Sequence, residues 1–258
     1  MAADVWSPAQ YERFADERRR PFVDLLALVR PRAGMRVIDL GCGTGELTRL
    51  VHERLGARET IGIDSSVAML ERSRDAGGAG LRFIQRDIAE LDSAGRWDLI
   101  FSNAALHWLP DHERLLARLT AILSPGGQLA VQVPANFDHA SHVVAAELAH
   151  EPPFVEALGG QSHAENVRAP ELYSAWLERL GCREQHVRLQ VYGDRLASRD
   201  EVVEWVRGSL LTHYRRRLPP ELYDAFVARY RERLLPRLED TRPYFFTFKR
   251  ILFWGEIQ

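Results

Sequence analysis

The stretch Asp39-Leu-Gly-Cys-Gly-Thr-Gly45 holds the residue types best suited to chemistry. It follows an apolar run at residues 35–38 and opens a helix-like stretch at 46–54. The order is therefore strand, glycine-rich turn, helix start. Gly41, Gly43 and Gly45 carry no Cβ and tolerate positive φ, so a ligand can lie against bare backbone. A dinucleotide fingerprint reads G-x-G-x-x-G. Here the third Gly arrives one residue early, and position 46 is Glu. An acidic Asp39 just ahead of the glycines would repel a pyrophosphate. It suits a cationic group instead, such as the ammonium of S-adenosylmethionine.

Three more features fall in order behind this turn. Asp64 closes a second apolar run, Ile61-Gly-Ile63. It lies roughly 20 residues beyond the glycines, the distance at which an acidic residue meets a ribose. Arg86-Asp87-Ile88 follows a third strand, and Asn103-Ala104 a fourth. Each also has a plainer reading: Asp64 as a helix N-cap, Asp87 and Asn103 as solvated turn residues, and the glycines as a tight turn. Their occurrence in sequence, each at a C-terminal strand end, favours one shared ligand.

The elements that would position them alternate. Strands are expected at 36–40, 60–63, 81–85, 98–102 and 128–133, with helices at 46–56, 66–75 and 111–123 between them. Residues 124–127, Ser-Pro-Gly-Gly, read as the stop of the last of these helices. Ahead of them, 8–30 reads as helical, with Pro8 and Pro21 as first-turn residues. Beyond Pro134 the alternation stops. A helix at 170–180 and strands at 184–191 and 245–257 complete the core, while 199–239 reads as two helices split by Leu218-Pro-Pro220. This predicts one α/β domain: a Rossmann-like, doubly wound, mostly parallel seven-stranded sheet with helices on both faces. Its core covers about 31–135, 170–192 and 245–258, with N-terminal helices at 8–30. Insertions at about 136–168 and 199–240 would form a helical cap. Right-handed crossovers place all the C-terminal strand ends on one edge.

The 258 residues carry a net charge of -2, so no basic field points to nucleic acid. Lys249 is the only lysine among 34 basic residues. Such an Arg bias is a genome-wide habit before it is a function. Cys42 and Cys182 are far apart and form no metal-ligand spacing, and no histidine pair with acidic support suggests a metal. Two lone cysteines fit a reducing cytoplasm. The first residues lack signal-peptide character, and no apolar stretch is long enough for a bilayer, so no membrane is expected.

On the Asp39–Gly45, Asp64, Asp87 and Asn103 motifs the sequence resembles class I S-adenosylmethionine-dependent methyltransferases. The resemblance implies that Asp39, Gly41 and Gly43 hold the methionine end. Asp64 would accept the ribose hydroxyls, Ser65 and Met69 would flank the adenine, Asp87 would meet its amino group, and Ile88 would pack beside it. Asn103 would lie near the transferable methyl. A closer resemblance, to the trans-aconitate 2-methyltransferases, runs over nearly the whole chain. It is carried by Trp6-Ser-Pro-Ala-Gln-Tyr11, Glu17-Arg-Arg-Arg-Pro21, Ser102-Asn103-Ala-Ala-Leu106-His107-Trp108, Asp111-His112, Leu129-Ala-Val-Gln132-Val-Pro134-Ala-Asn136, Ser141-His142 and Val203-Glu-Trp205-Val-Arg-Gly208. Thr44, Glu46 and His107 depart from that family, which more often has Pro, Asn and Gln there.

That family makes a monomethyl ester on a small polycarboxylate and releases S-adenosylhomocysteine. A carboxylate, with a pKa near ~4, is ionised at neutral pH and needs no general base. Alignment alone can contribute roughly 7–11 kcal/mol. No catalytic acid or base is therefore expected. The acceptor's negative charges call for Arg, which binds carboxylates bidentately. Candidates are Arg18, Arg20, Arg195 and Arg215, with Tyr11, His107, Trp108 and Tyr214 as further contacts. Other readings stay open: esterification of a malonyl group on acyl carrier protein, or a non-catalytic S-adenosylmethionine-binding protein. The glycine spacing disfavours a nicotinamide enzyme. Oligomeric state is not legible.

Overall fold

A computed structural model describes residues 15–91, 95–160 and 166–258. Residues 1–14, 92–94 and 161–165, with Pro8 and Tyr11 among them, lie outside the described residues, as do the side chains of residues 15–18.

The helices are α1 (Ala15–Leu26), α2 (Glu46–Leu55), α3 (Val67–Ser73), α4 (His112–Thr120), α5 (Ala140–Ala149), α6 (Phe154–Leu158), α7 (Pro170–Arg179), α8 (Asp200–Arg207), α9 (Leu210–Arg215) and α10 (Pro220–Leu234). The strands are β1 (Arg36–Leu40), β2 (Glu59–Asp64), β3 (Leu81–Gln85), β4 (Trp97–Asn103), β5 (Leu123–Pro134), β6 (Cys182–Leu196) and β7 (Tyr244–Ile257). They form one sheet in the order β3-β2-β1-β4-β5-β7-β6. Neighbours from β3 to β5 pair in parallel, and β7 is antiparallel to β5. β1, β2 and β4 read as short apolar runs because they are covered on both faces, whereas the edge strand β3 is largely exposed. The order reverses direction beside β1, which is the switch point where such sheets bind ligands.

The chain divides into two compact units. The larger holds Asp16–Pro134, Asn166–Gln190 and Arg250–Gln258. Its core gathers Phe22 and Leu25 of α1, Val37 of β1, Val51 of α2, Leu99 and Phe101 of β4, Ala130 of β5 and Leu252 and Trp254 of β7. Phe22 meets Phe101 edge to face at 5.4 Å, a geometry worth about 0.5–1.5 kcal/mol beyond its buried area. The smaller unit has its own core, in which Val144, Leu148, Phe154, Trp205, Tyr214, Phe226, Tyr230 and Phe246 are buried. Its described residues are 15, 135–160 and 191–249. There Ser141 ties its helix start together: its hydroxyl meets Nδ1 of His139 (2.8 Å) and of His142 (3.1 Å), and Tyr230 donates to its carbonyl (2.9 Å).

Three expectations need correction. Pro21 does not open a helix but lies inside α1. The turn around it holds because Phe22 and Leu25 are buried against the sheet. Residues 124–127 are not a break outside the sheet; they belong to β5. They form a bulge there, with Trp97 paired to Leu123 but Leu99 to Gln128. One residue on β4, Asp98, thus stands against four on β5, 124–127, and the slack is taken up where Pro and Gly cannot continue a regular ladder. Finally, 199–239 holds three helices, not two. The extra break falls at Gly208-Ser209, where Gly208 caps α8 and Ser209 leaves helical φ/ψ.

Candidate functional site

Residues 41–45 leave β1 and enter α2, as their composition requires. Gly41 and Gly43 both have positive φ, 77° and 57°. A Cβ on Gly41 would stand 2.3 Å from the Ala105 Cβ, whereas one on Gly43 would meet nothing within 4 Å. The first glycine is thus needed for close packing, and the second presents bare backbone to open space. The Gly41 and Cys42 amides donate to the Ile63 carbonyl (2.8 and 3.0 Å), which stitches the turn to β2.

Asp64 organises the turn further. Its Oδ2 accepts from the Gly43 amide and its Oδ1 from the Ser66 amide, each at 2.9 Å. Ser66, not Asp64, is the N-cap of α3, accepting from the Met69 amide.

Asp39 is buried at 4% exposure. Its Oδ2 accepts from the Thr48 hydroxyl, at 2.5 Å, from the first turns of α2. Burial pushes its carboxyl up to about 7; the nearby Asp64 charge adds to the rise and the Thr48 bond opposes it. An ionised carboxylate in such a place needs a cation. Burial, with Asp39 and Asp64 beside it, also drives the Cys42 thiol upward, so Cys42 is an inert filler and not a nucleophile.

At the neighbouring strand end, Asn103 is half-buried, and its Oδ1 is buried without a hydrogen-bond partner. The next residue, Ala104, has φ 55°, a conformation held by its amide bonding to the Gln132 carbonyl (2.9 Å). Such left-handed backbone at a non-glycine residue is uncommon and collects at binding sites. Residues 106–108 form a 3-10 turn. It is pinned by His112 Nε2 on the Leu106 carbonyl (2.9 Å) and by Asn166 donating to the His107 carbonyl (3.2 Å). Tyr173 holds the other His112 nitrogen at 2.6 Å. His107 is buried and lies 4.5 Å from the half-buried Trp108 ring.

The remaining expected residues are placed as follows. Asp87 is exposed and caps a short 3-10 turn through the Ala89 amide (2.8 Å), while Ile88 behind it is buried. Ser65 is exposed and Met69 buried. Arg18 lies in α1, and Arg20 follows on its exposed surface. Arg195 and Arg215 are exposed and belong to the smaller unit, as does Tyr214, which is buried in that unit's core and stacks on Phe226 at 4.6 Å. Asp39, Gly41, Gly43, Asp64, Ser65, Met69, Asp87, Ile88, Asn103, His107 and Trp108 all belong to the larger unit. Among the described residues no group of three or more His, Cys, Asp or Glu side chains could hold a metal ion.

Sequence reasoning missed Thr48 and Gln132. Thr48 is a weak helix former on the buried stripe of α2, which was a usable signal. Gln132 is a polar residue inside the apolar run of β5.

The donor set fits an amino-acid-bearing, ribose-bearing cation: a buried acid at Asp39, bare backbone at Gly43, the Asp64 carboxylate at the end of β2 and an Asn103 oxygen without a hydrogen-bond partner. A family of "Methyltransferase domain" proteins matches residues 11–189. A trans-aconitate 2-methyltransferase of Deinococcus radiodurans is 42% identical over 255 residues, covering 96% of this chain and 97% of its own. One from Methylobacterium nodulans is 42% identical over 226 residues, 87% of each chain. The solved YcgJ protein of Bacillus subtilis shares the fold, with a TM-score of 0.63 at 16% identity over 93% of this chain and 99% of that one. By the glycine turn, the sheet order and kinship from end to end, the chain belongs to the methyltransferase-domain family and, within it, to the trans-aconitate 2-methyltransferases.

Proposed function

We propose that the protein esterifies one carboxylate of trans-aconitate with the methyl group of S-adenosylmethionine. The observation that carries this reading is the near end-to-end kinship with trans-aconitate 2-methyltransferases, which extends well beyond the glycine motifs. When bound, S-adenosylmethionine supplies a methyl group on a sulfonium sulfur and leaves as S-adenosylhomocysteine.

The chain's own residues bind, orient and exclude water. Asp39 neutralises an ammonium, Gly41 and Gly43 admit the methionine backbone, and Asp64 accepts from the ribose hydroxyls. Ser65, Met69, Asp87 and Ile88 line the adenine. Asn103 turns its unpartnered oxygen towards the reacting end. His107 and Trp108, on the pinned turn that follows, bound the acceptor, and Arg20 answers its charge. The attacking carboxylate is already ionised, so no side chain has to remove a proton. The chemistry asks only for alignment of two reactants, which suits a site with no acid–base pair.

We place this activity in the cytoplasm, in keeping with two free buried cysteines. Among the described residues no helix is long and apolar enough to cross a membrane.

The test offers labelled S-adenosylmethionine with trans-aconitate, cis-aconitate, citrate, isocitrate and malonyl-acyl carrier protein in parallel, with products identified by mass spectrometry. A strong preference for trans-aconitate is expected. Transfer to the carrier protein alone, or to none of the acceptors while the cofactor still binds, overturns the reading.

A further inference from the structure

Two glutamines stand four residues apart on β5, on the same face, and neither has any exposed surface. Their circumstances differ completely. The Gln128 Oε1 accepts from the Arg30 amide (2.8 Å) and the Trp254 indole (2.9 Å), and its Nε2 donates to the Arg30 carbonyl (2.8 Å). For Gln132, neither Nε2 nor Oε1 has a hydrogen-bond partner. The fold plainly supplies partners to a buried glutamine when it uses one for structure. A primary amide sealed away with nothing bonded gains nothing for its lost hydration.

The sheet says which way this amide lies. Gln132 pairs with Asn103 on one side and Leu252 on the other. In a parallel pair, directly opposed residues share a face, so the Gln132 amide sits beside the equally unpartnered Asn103 oxygen. Along the edge the order is β2, β1, β4, β5. Asp64 ends β2, the glycine turn leaves β1, Asn103 ends β4, and Gln132 lies one strand further, about 4.8 Å on. If the donor is held from β2 to β1 and its reacting end faces β4, the group met at β5 belongs to the acceptor. Its required chemistry is an anionic oxygen for Nε2.

We propose that Gln132 is an acceptor-binding residue: its amide N–H holds one oxygen of the carboxylate that is methylated, leaving the other oxygen free to attack. This rests on the carboxylate reading given above. An amide suits the task because it donates without neutralising the nucleophile, as a close Arg would.

Gln132→Met keeps the length and apolar volume and removes the amide. Trans-aconitate is titrated calorimetrically into the complex with S-adenosylhomocysteine, which binds without turnover, and kinetics are measured alongside. The variant is expected to weaken acceptor binding and raise its KM by about 10- to 100-fold, the value of a hydrogen bond to a charged group. The Kd for S-adenosylhomocysteine and the Tm are expected to hold, the Tm even to rise, because no protein group loses a partner. Gln132→Glu, which sets a carboxylate against a carboxylate, is expected to lose more. Unchanged acceptor binding overturns the proposal. So does a parallel loss of cofactor affinity, or a collapse of Tm, since either would give Gln132 a different role. If the wild type esterifies another carboxylate of the panel, the trans-aconitate reading falls and Gln132 is judged on that acceptor. If it esterifies none, both fall.

Discussion

Lowering the pH through neutrality is expected to release the cofactor, and the acid limb belongs to Asp39. Its carboxyl titrates at about 7, against 3.8 in the free side chain, chiefly through burial. A ligand ammonium binds the ionised form, so affinity falls by about tenfold for each pH unit below about 7. On the alkaline side the ligand's own amine, which carries a carboxylate on the same carbon and so titrates above the ~8 of a peptide α-amino group, loses its proton and closes a bell. The assay is calorimetric titration of S-adenosylhomocysteine from about pH 5.5 to well above ~8. Asp39→Asn is expected to weaken binding at neutral pH and to abolish the acid limb while leaving the alkaline one. Thr48→Val removes the one bond that lowers the Asp39 pKa, so it moves the acid limb upward. The linkage to folding has the opposite sign. The folded pKa is raised, so the unliganded fold is most favoured below about 3.8 and loses stability as pH rises through about 7. The span is about three pH units at about 1.4 kcal/mol each, on the order of 4 kcal/mol. Unliganded Asp39→Asn is therefore expected to melt higher than the parent at neutral pH. An unaltered acid limb in Asp39→Asn would refute the reasoning, for it would put the titrating group elsewhere.

Gly41→Ala drives a Cβ to 2.3 Å from Ala105 at a φ of 77°, so both Tm and cofactor affinity are expected to fall, with partial recovery of Tm in the double variant with Ala105→Gly. Full affinity in Gly41→Ala would show that the turn does not need its close approach. Asp64→Ala removes the acceptor for the Gly43 and Ser66 amides and, on the proposed reading, for the ribose. Its Kd for S-adenosylhomocysteine should rise by about 100-fold, given that each charged hydrogen bond is worth about 1.5–3 kcal/mol, while the far-ultraviolet circular dichroism stays native. Gln128→Met strands three polar groups and is expected to cost roughly 2–5 kcal/mol in urea unfolding, with unfolding no easier than in the parent counting against it.

The sequence made the first four strand ends legible because two signals coincide there. A run of apolar residues must end where its strand leaves the sheet: Asp64 and Asn103 close β2 and β4, Asp39 stands one residue before the end of β1, and Asp87 follows β3 by two residues. What was hidden depends on neighbours distant in sequence. The pairing of Asn103 with Gln132 cannot be counted off the chain, since a bulge intervenes before the ladder settles. Nor can one read that Gln128 is fully bonded while Gln132 is not, because the partners of Gln128 lie at Arg30 and Trp254. Thr48 escaped for a similar reason: helix period shows that it is buried, but not that it faces an acid from β1. The splitting of 199–239 turns on a glycine, Gly208, tolerated in many helices and a stop in this one.

The bulge at residues 124–127 bears on how this chain can change length over evolution. Pairing is reset at Leu99 with Gln128 and runs unbroken to Asn103 with Gln132. An insertion or deletion ahead of the reset is absorbed locally, because the bulge residues follow no regular ladder. A single deletion after it would turn every later side chain of β5 to the opposite face. A valine, Val131 or Val133, would then occupy the place of the Gln132 amide. Tolerance to length variation thus drops within a few residues along one strand, from a stretch that can drift to one that is locked.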